Sequence, residues 1–550
     1  MEKNKALNSK KTVNLFFSGV AILTIANVLV KAVGLISKIV LNRVVGPIGA
    51  GYYSSAYEIY AFLYVISTAG LPVAISIMVS KSRAKGRFKE AKKIFDIAIM
   101  LFLIMGTLFA ALMIFFSRRI ANFISAPDTS LCIVAVAPTI LFVCLSSCMR
   151  GYFQGYQLMK PTAVSQFIEA LCKVLIGVGC ALYAKAKGYD DPTVAAYTIL
   201  GVTLGVLLGM AYLYIKKLIF KDKKYNVDLG ISEVKECKST KQILKELALI
   251  AVPITISSCV LSLTTIIDTF TIQRRLIEFG MDSELIRVYY GDYTSLVISM
   301  YNLPTILFYP IANALVPLIS TTLESRDFKQ GERIRSFSLR VINMIALPCA
   351  LGLGIFAYPI LELLMFRPDS VNRASGWLSI AAISVFFLGL IAATNAFLNT
   401  AGKQRLPIIS MLVGAIVKLI SNYVLLGKFG IIGAPISTVL CYLSASTLNI
   451  FFTVKYVGKL PNLKKALLMP LLCGIISIGG SAVIYLLLSN VIPSRIVTVF
   501  SILLAVVSYV LFILKTKTVK KEEILLLPHG EMIVKILDKL KFFPKNVKNI

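Results

Sequence analysis

The chain carries one histidine, His529, close to its C-terminus, and one tryptophan. A lone imidazole rules against a histidine-based metal site or catalytic dyad. Charge is scarce, with Asp, Glu, Lys and Arg making up 15% of 550 residues. Acid is scarcest of all, 27 Asp and Glu against 58 Lys and Arg, for a net charge of +31. No GxxxxGK[ST] loop, HExxH or GxSxG occurs, which argues against P-loop nucleotide binding and two common hydrolytic chemistries. The ten cysteines form no CxxC pair, and Cys132, Cys144, Cys148, Cys172, Cys180 and Cys441 sit in apolar runs, where a thiol acts as a small apolar group.

What the chain has is apolar length. Hydrophobic residues make up 57%, and the mean hydropathy is +0.80. Charges cluster between long apolar runs, a pattern that a lipid solvent explains and a water-soluble core does not. About fourteen spanning helices are expected, in an all-α polytopic membrane protein. They cover Val13–Leu41, Tyr52–Ser80, Ile94–Phe116, Leu131–Cys148, Pro161–Ala184, Thr193–Ile215, Leu247–Ile272, Tyr293–Thr321, Phe337–Leu364, Ser375–Leu398, Pro407–Leu426, Ile431–Tyr456, Ala466–Leu488 and Ile496–Leu514. The Lys-rich start followed by apolar residues reads as the first span, since the run is too long for a signal peptide and no cleavage site closes it.

Charge bias supports the count. With the N-terminus inside, the inner segments hold 42 Lys and Arg and the outer loops 12, with Lys31, Lys38, Lys173 and Lys418 inside spans. The bias puts both termini in the cytoplasm. It also explains the net charge: basic loops fix topology and face anionic membrane lipids, and no basic–aromatic stripe points to nucleic acid. In the tail, Ile533, Val534, Ile536, Leu537 and Leu540 share one helical face, as an interfacial helix would require.

The inner loop Lys216–Glu246 splits the chain near its middle. Internal similarity points the same way. Tyr52 to Pro72 has the spacing of Tyr290 to Pro310, and Gly155-Tyr156-Gln157-Leu158-Met159-Lys160-Pro161 parallels Gly402-Lys403-Gln404-Arg405-Leu406-Pro407, one residue shorter. Each loop leads into a helix with one mid-span lysine, Lys173 or Lys418. The expected organisation is two pseudo-symmetric six-helix lobes, 1–215 and 247–456, joined by 216–246, then two helices in 457–514 and a basic tail, 515–550. Duplication of this kind marks transporters, with the substrate site between repeats.

Charges within spans should face a cavity or a partner, since each costs at least about 2.5–3.5 kcal/mol at mid-bilayer. Lys31 and Lys38 lie two turns apart on one face of the first span, with Arg43 near its outer end. Glu58 and Asp268 fall at similar depth in the outer parts of spans two and seven. Together these five would form a mixed but basic cavity. Glu169 precedes Lys173 by four residues and can pair with it along the helix, whereas Lys418 has no local acidic residue. Pro304, Pro310 and Pro317, with Asn302 and Asn313, mark the eighth span as kinked, either as a gate or as structure alone. Asp190-Asp191, in an outer loop before Pro192, reads as a solvated loop end; the alternative is a metal-binding pair of a membrane glycosyltransferase or polymerase.

Leu23-Thr24-Ile25-Ala26, Gly34 and Ser67-Thr68-Ala69-Gly70-Leu71-Pro72-Val73-Ala74-Ile75-Ser76 resemble the stage V sporulation protein B family. So do Arg150-Gly151-Tyr152-Phe153-Gln154-Gly155-Tyr156-Gln157 and Lys160-Pro161-Thr162-Ala163-Val164-Ser165-Gln166 with Glu169. That family belongs to the superfamily of multidrug, oligosaccharidyl-lipid and polysaccharide exporters and is similar to the lipid II flippases. The resemblance implies a V-shaped two-lobed bundle, alternating access in a bacterial cytoplasmic membrane, and a lipid-linked anionic saccharide as cargo, moved for peptidoglycan or spore-cortex synthesis beside cell-wall synthesis enzymes. It implies transport without covalent chemistry or cofactor, and leaves any coupling cation open. Lys31 and Arg43 fall on basic positions and Glu58 near an acidic one, while Ser37 stands where those flippases have arginine, with Lys38 next to it. A cation-coupled drug exporter of the same superfamily is the alternative; it calls for an acidic cavity, and the intramembrane lysines argue against it.

Overall fold

In the computed structural model the described residues are 26, 29–220, 237–309, 311–312, 328–364, 367–458 and 464–516, and none of them forms a strand. Eleven of their helical stretches are long and apolar enough to cross a membrane, from Gly46–Ala84 to Ser494–Lys515. The chain is thus a multi-span membrane protein. One stretch, Arg405–Tyr456, holds the expected eleventh and twelfth spans. The expected first and eighth spans run partly outside the described residues, as do most of the inter-lobe loop and the amphipathic tail.

Contacts divide the chain into two units, Met1–Ser295 with Leu426–Ile431, and Leu296–Leu425 with Ile432–Ile550. This division falls later than the loop at 216–246 that the sequence points to.

The first unit is a bundle of nine helices among the described residues. They are α1 (residues 29–44), α2 (Gly46–Thr68), α3 (Leu71–Ala84), α4 (Phe88–Phe123), α5 (Ser130–Gly155), α6 (Met159–Ala186), α7 (Asp191–Ile219), α8 (Thr240–Glu278) and α9 (Ser283–Asp292). Local chemistry sets the ends. Ser239 and Gln242 cap α8 reciprocally: Ser239 Oγ accepts from the Gln242 amide at 3.3 Å, and the Ser239 amide donates to Gln242 Oε1 at 3.1 Å. Asp282 caps α9 by accepting from the amides of Glu284 and Leu285. Asp190 stands at the N-cap of α7 with Asp191 in the first turn, where negative charge complements the helix dipole. Helices α6 and α7 approach closely because Gly205 carries no side chain; a Cβ there would stand 2.8 Å from the Glu169 carbonyl oxygen and 2.9 Å from the Lys173 amide nitrogen. That contact fixes the backbone bearing two of the expected site residues.

The second unit contains α10 (Phe328–Ile355), α11 (Ala357–Leu363), α12 (Pro368–Ala381), α13 (Ile383–Thr400), most of α14 (Arg405–Phe429), α15 (Gly433–Tyr456), α16 (Met469–Leu488) and α17 (Ser494–Lys515). Within it α13 packs on α10 and α15, and α16 packs on α10 and α17. Neutral polar groups are buried here. Asn449 donates from Nδ2 to Thr394 Oγ1 at 3.2 Å and to Asn395 Oδ1 at 2.7 Å.

Candidate functional site

Tyr53, Tyr57, Tyr60 and Tyr64 recur on α2 at intervals of three and four residues, so they share one helical face. Their rings follow one another at centroid distances of 5.8, 5.7 and 6.0 Å. Tyr57 is the centre of the arrangement. The Lys173 ammonium, from α6, lies 4.2 Å from its ring centroid, and the Lys38 ammonium, from α1, lies 5.7 Å away. Ring quadrupoles attract cations most strongly where water is excluded. The carboxylate of Glu58, next in sequence, lies within the fields of Lys38, Lys173 and Asp268. Asp268 comes from α8 and is 1% exposed. Four expected site residues, Lys38, Glu58, Lys173 and Asp268, therefore meet in one neighbourhood of the first unit. A cavity of about 20 Å³ beside Lys173, lined also by Ser37 and Tyr53, has room for about one water.

The remaining expected residues are placed differently. Lys31 and Arg43 lie on α1 and are exposed, adding positive charge near the cluster. Glu169 does not pair with Lys173. Its Oε2 accepts from Arg150 Nη2 at 2.8 Å, while Arg150 Nε donates to Ser165 Oγ at 3.1 Å. The guanidinium of Arg150 crosses from α5 with rigid, forked donors that satisfy a carboxylate and a hydroxyl together, and this leaves Lys173 to turn toward Tyr57. Lys418 belongs to the second unit, 1% exposed on α14, with Asn422 one turn further on. The eighth span is irregular where it is described. A π-helical segment, Tyr293–Ile298, leads to a short helix, Ser299–Asn302, and a turn at Leu303-Pro304. Pro310, Asn313 and Pro317 lie outside the described residues.

Beyond the cluster, toward the start of α2, the first unit is tightly closed. Gln273 Nε2 donates to Ser55 Oγ at 2.9 Å, Tyr290 Oη to Thr269 Oγ1 at 3.1 Å, and Asn42 Nδ2 to Asp292 Oδ1 at 3.4 Å. Gly51 permits the approach of α2 to α9, since a Cβ there would stand 2.5 Å from the Arg287 carbonyl oxygen. Arg287 pairs with Asp128 at 3.5 Å, and Tyr52 Oη donates to the same carboxylate at 3.2 Å.

Three features of this region are absent from the sequence reading: Arg150 as the partner of Glu169, the tyrosine face of α2, and the polar closure by Gln273, Tyr290 and Asn42. The tyrosine spacing was a usable signal; the other two depend on packing between distant segments. Among the described residues no group of three or more His, Cys, Asp or Glu side chains is arranged to hold a metal ion.

The family model described as Polysaccharide biosynthesis protein matches residues 16–323. The chain belongs to that family. The matched stretch contains the whole Lys38–Glu58–Lys173–Asp268 cluster, and a second model, MatE, matches residues 293–424, which include Lys418. Stage V sporulation protein B of Bacillus subtilis (strain 168) is 26% identical over 437 residues, covering 77% of this chain and 80% of that protein. Lipid II flippase MurJ of the same organism is 23% identical over 493 residues, covering 85% and 88%. A solved structure of lipid II flippase MurJ in an inward closed conformation superposes with a TM-score of 0.68 at 15% identity, covering 90% of this chain and 98% of that one, a likeness of fold. The polysaccharide biosynthesis family, the sporulation and flippase relatives and the fold all agree with the resemblance read from the sequence blocks.

Proposed function

We propose that this family member is a flippase that moves a lipid-linked, diphosphate-bearing saccharide, a cell-wall precursor of the lipid II kind, from the inner to the outer leaflet by alternating access. Both termini then face the cytoplasm, as the charge bias of the loops favours. The observation that carries the reading is the pair of lysines, Lys38 and Lys173, resting on one Tyr57 ring inside a membrane-spanning unit. An aromatic face stabilises an ammonium without using up its N–H donors as a carboxylate would. Those donors can then turn to phosphate oxygens and offset their desolvation. Lys31 and Arg43 add long-range attraction, and Glu58 and Asp268 keep the empty site from carrying a large uncompensated charge. No covalent step is needed. A membrane potential negative inside favours outward movement of an anion by roughly 2.3 kcal/mol per charge per 100 mV, which supplies direction.

The test is a flipping assay in reconstituted vesicles with a labelled polyprenyl-diphosphate saccharide. The Lys38→Gln/Lys173→Gln double variant should flip about tenfold more slowly or worse, the loss of at least one charge-assisted hydrogen bond of about 1.5 kcal/mol. Unchanged flipping would overturn the assignment of this cluster. Efflux of cationic dyes by the wild type, with no flipping, would instead favour a drug exporter.

A further inference from the structure

The first unit carries an apolar groove that the transport reading does not use. It lies where α2, α4 and α8 meet and has a volume of about 550 Å³, within the usual range of small-ligand sites. Its walls include Leu63, Phe109, Phe116, Phe123 and Phe270, and among the described residues Arg119 is the one charged residue that lines it. Phe123 and Phe270 close one end edge to face, with ring centroids 5.3 Å apart. Phe123 is still 59% exposed, so the groove opens sideways.

We infer that this groove is a binding site for one anionic phospholipid, with an acyl chain along the aromatic wall and the phosphate at Arg119. Three observations lead there. The helices that form the walls are membrane-spanning in length and composition, so the groove opens to lipid rather than to water. Its length suits a lipid chain. Phe109 to Phe123 spans about 21 Å of helix axis at 1.5 Å per residue, against roughly 15 Å of hydrocarbon in one leaflet. The remainder reaches headgroup depth, and Arg119 sits in that part of the helix.

The third observation is charge. Arg118 and Arg119 are adjacent, exposed, and form no ion pair among the described residues. The other adjacent arginines of the unit, Arg274 and Arg275, both pair with Glu278, and Arg287 pairs with Asp128. Arg118 lines a separate polar pocket of about 240 Å³ with Asp128 and Asp190. Arg119 runs along the rim of the groove, its guanidinium 5.5 Å from the Phe116 ring centroid. The contact with Phe116 uses up none of the guanidinium N–H donors, which stay available to a phosphate at the rim. By the charge bias of the loops this end of α4 lies away from the basic turn at Lys81–Lys93, so the lipid belongs to the outer leaflet.

This site does not depend on which cargo the protein moves. The test is native mass spectrometry of the full-length protein released from vesicles of equal parts phosphatidylglycerol and phosphatidylcholine. The wild type should retain phosphatidylglycerol in preference, and Arg119→Gln should lower that retention about fivefold. Arg119→Lys should keep most of it. Leu112→Trp, which fills the groove and leaves the arginine in place, should lower retention of both lipids. Equal retention of the two lipids by the wild type, or no change in Arg119→Gln, would overturn the proposal. Preferential retention of an added polyprenyl phosphate over phosphatidylglycerol would overturn the choice of occupant.

Discussion

Lys173 and Lys418 are twins in the sequence. Each lies near the middle of a span entered through a Gly-, Lys- and Pro-bearing loop, one in each half of the chain. Their surroundings differ. Lys173 is partly exposed, rests on Tyr57 and borders a cavity the size of a water. Lys418 is 1% exposed, with Ser421 and Asn422 on the same helix. Buried ammonium groups persist only when fully satisfied, and a satisfied group is not available to a ligand. The comparison teaches that a repeated frame can repeat a residue type without repeating its role. Neighbours decide whether a charge belongs to the fold or is held ready for a substrate.

The largest expected effect follows from that difference. Lys418→Ala removes a fully buried charge and strands whatever it bonds to, at a cost of about 3–5 kcal/mol. It should sharply lower the melting temperature in detergent and the yield of folded protein. Lys173→Ala loses the cation–π contact with Tyr57 and a hydrogen bond with Tyr53 in a partly open site, and should cost about 1–2 kcal/mol while impairing flipping. Equal melting shifts for the two variants would dissolve the distinction between them.

A somewhat smaller effect concerns Arg150. Removing one partner of a buried ion pair costs about 3 kcal/mol, and Glu169 is partly exposed and can recover some hydration, so the lower end of that range applies to Arg150→Ala. A double-mutant cycle of Arg150→Ala with Glu169→Gln should give a coupling of about 1.5 kcal/mol or more. The corresponding cycle of Lys173→Ala with Glu169→Gln should give a coupling near zero. A strong Lys173–Glu169 coupling would restore the pairing along one helix that the sequence suggests, and would make Lys173 as structural as Lys418.

That correction shows where sequence reading stopped. The all-α class and the apolar spans among the described residues were legible, because hydropathy is a local property of the chain, and Lys38, Glu58, Lys173 and Asp268 stood out as charges within apolar runs. Family membership was legible from two blocks around Ser67–Ser76 and Arg150–Gln157. Spacing offers Glu169 to Lys173 because it shows only contacts within one helix; Arg150 arrives from another helix with a better-shaped donor. Spacing likewise carries no sign that α8 and α9, which follow the long loop, pack with the helices before it through Gln273, Asp292 and Gly51. The tyrosine face of α2 could have been read from its spacing, but aromatic residues in a span look like apolar filling until a cation stands on them.

The smallest effect tests that last point. If Tyr57 serves Lys173 and Lys38 through its ring, Tyr57→Phe should preserve both stability and flipping, because the benzene face keeps most of the quadrupole. Tyr57→Leu should cost about 1 kcal/mol of the cation–π attraction and slow flipping severalfold, since two unsupported ammonium groups would repel each other or draw in Glu58. Melting curves and vesicle flipping rates for the two variants decide the matter. If Phe proves as damaging as Leu, the hydroxyl of Tyr57 is the functional group. Lys173 would then be held by a hydrogen-bonded network, much as a buried lysine is, and its availability to a phosphate would have to come from movement rather than from the ring beneath it.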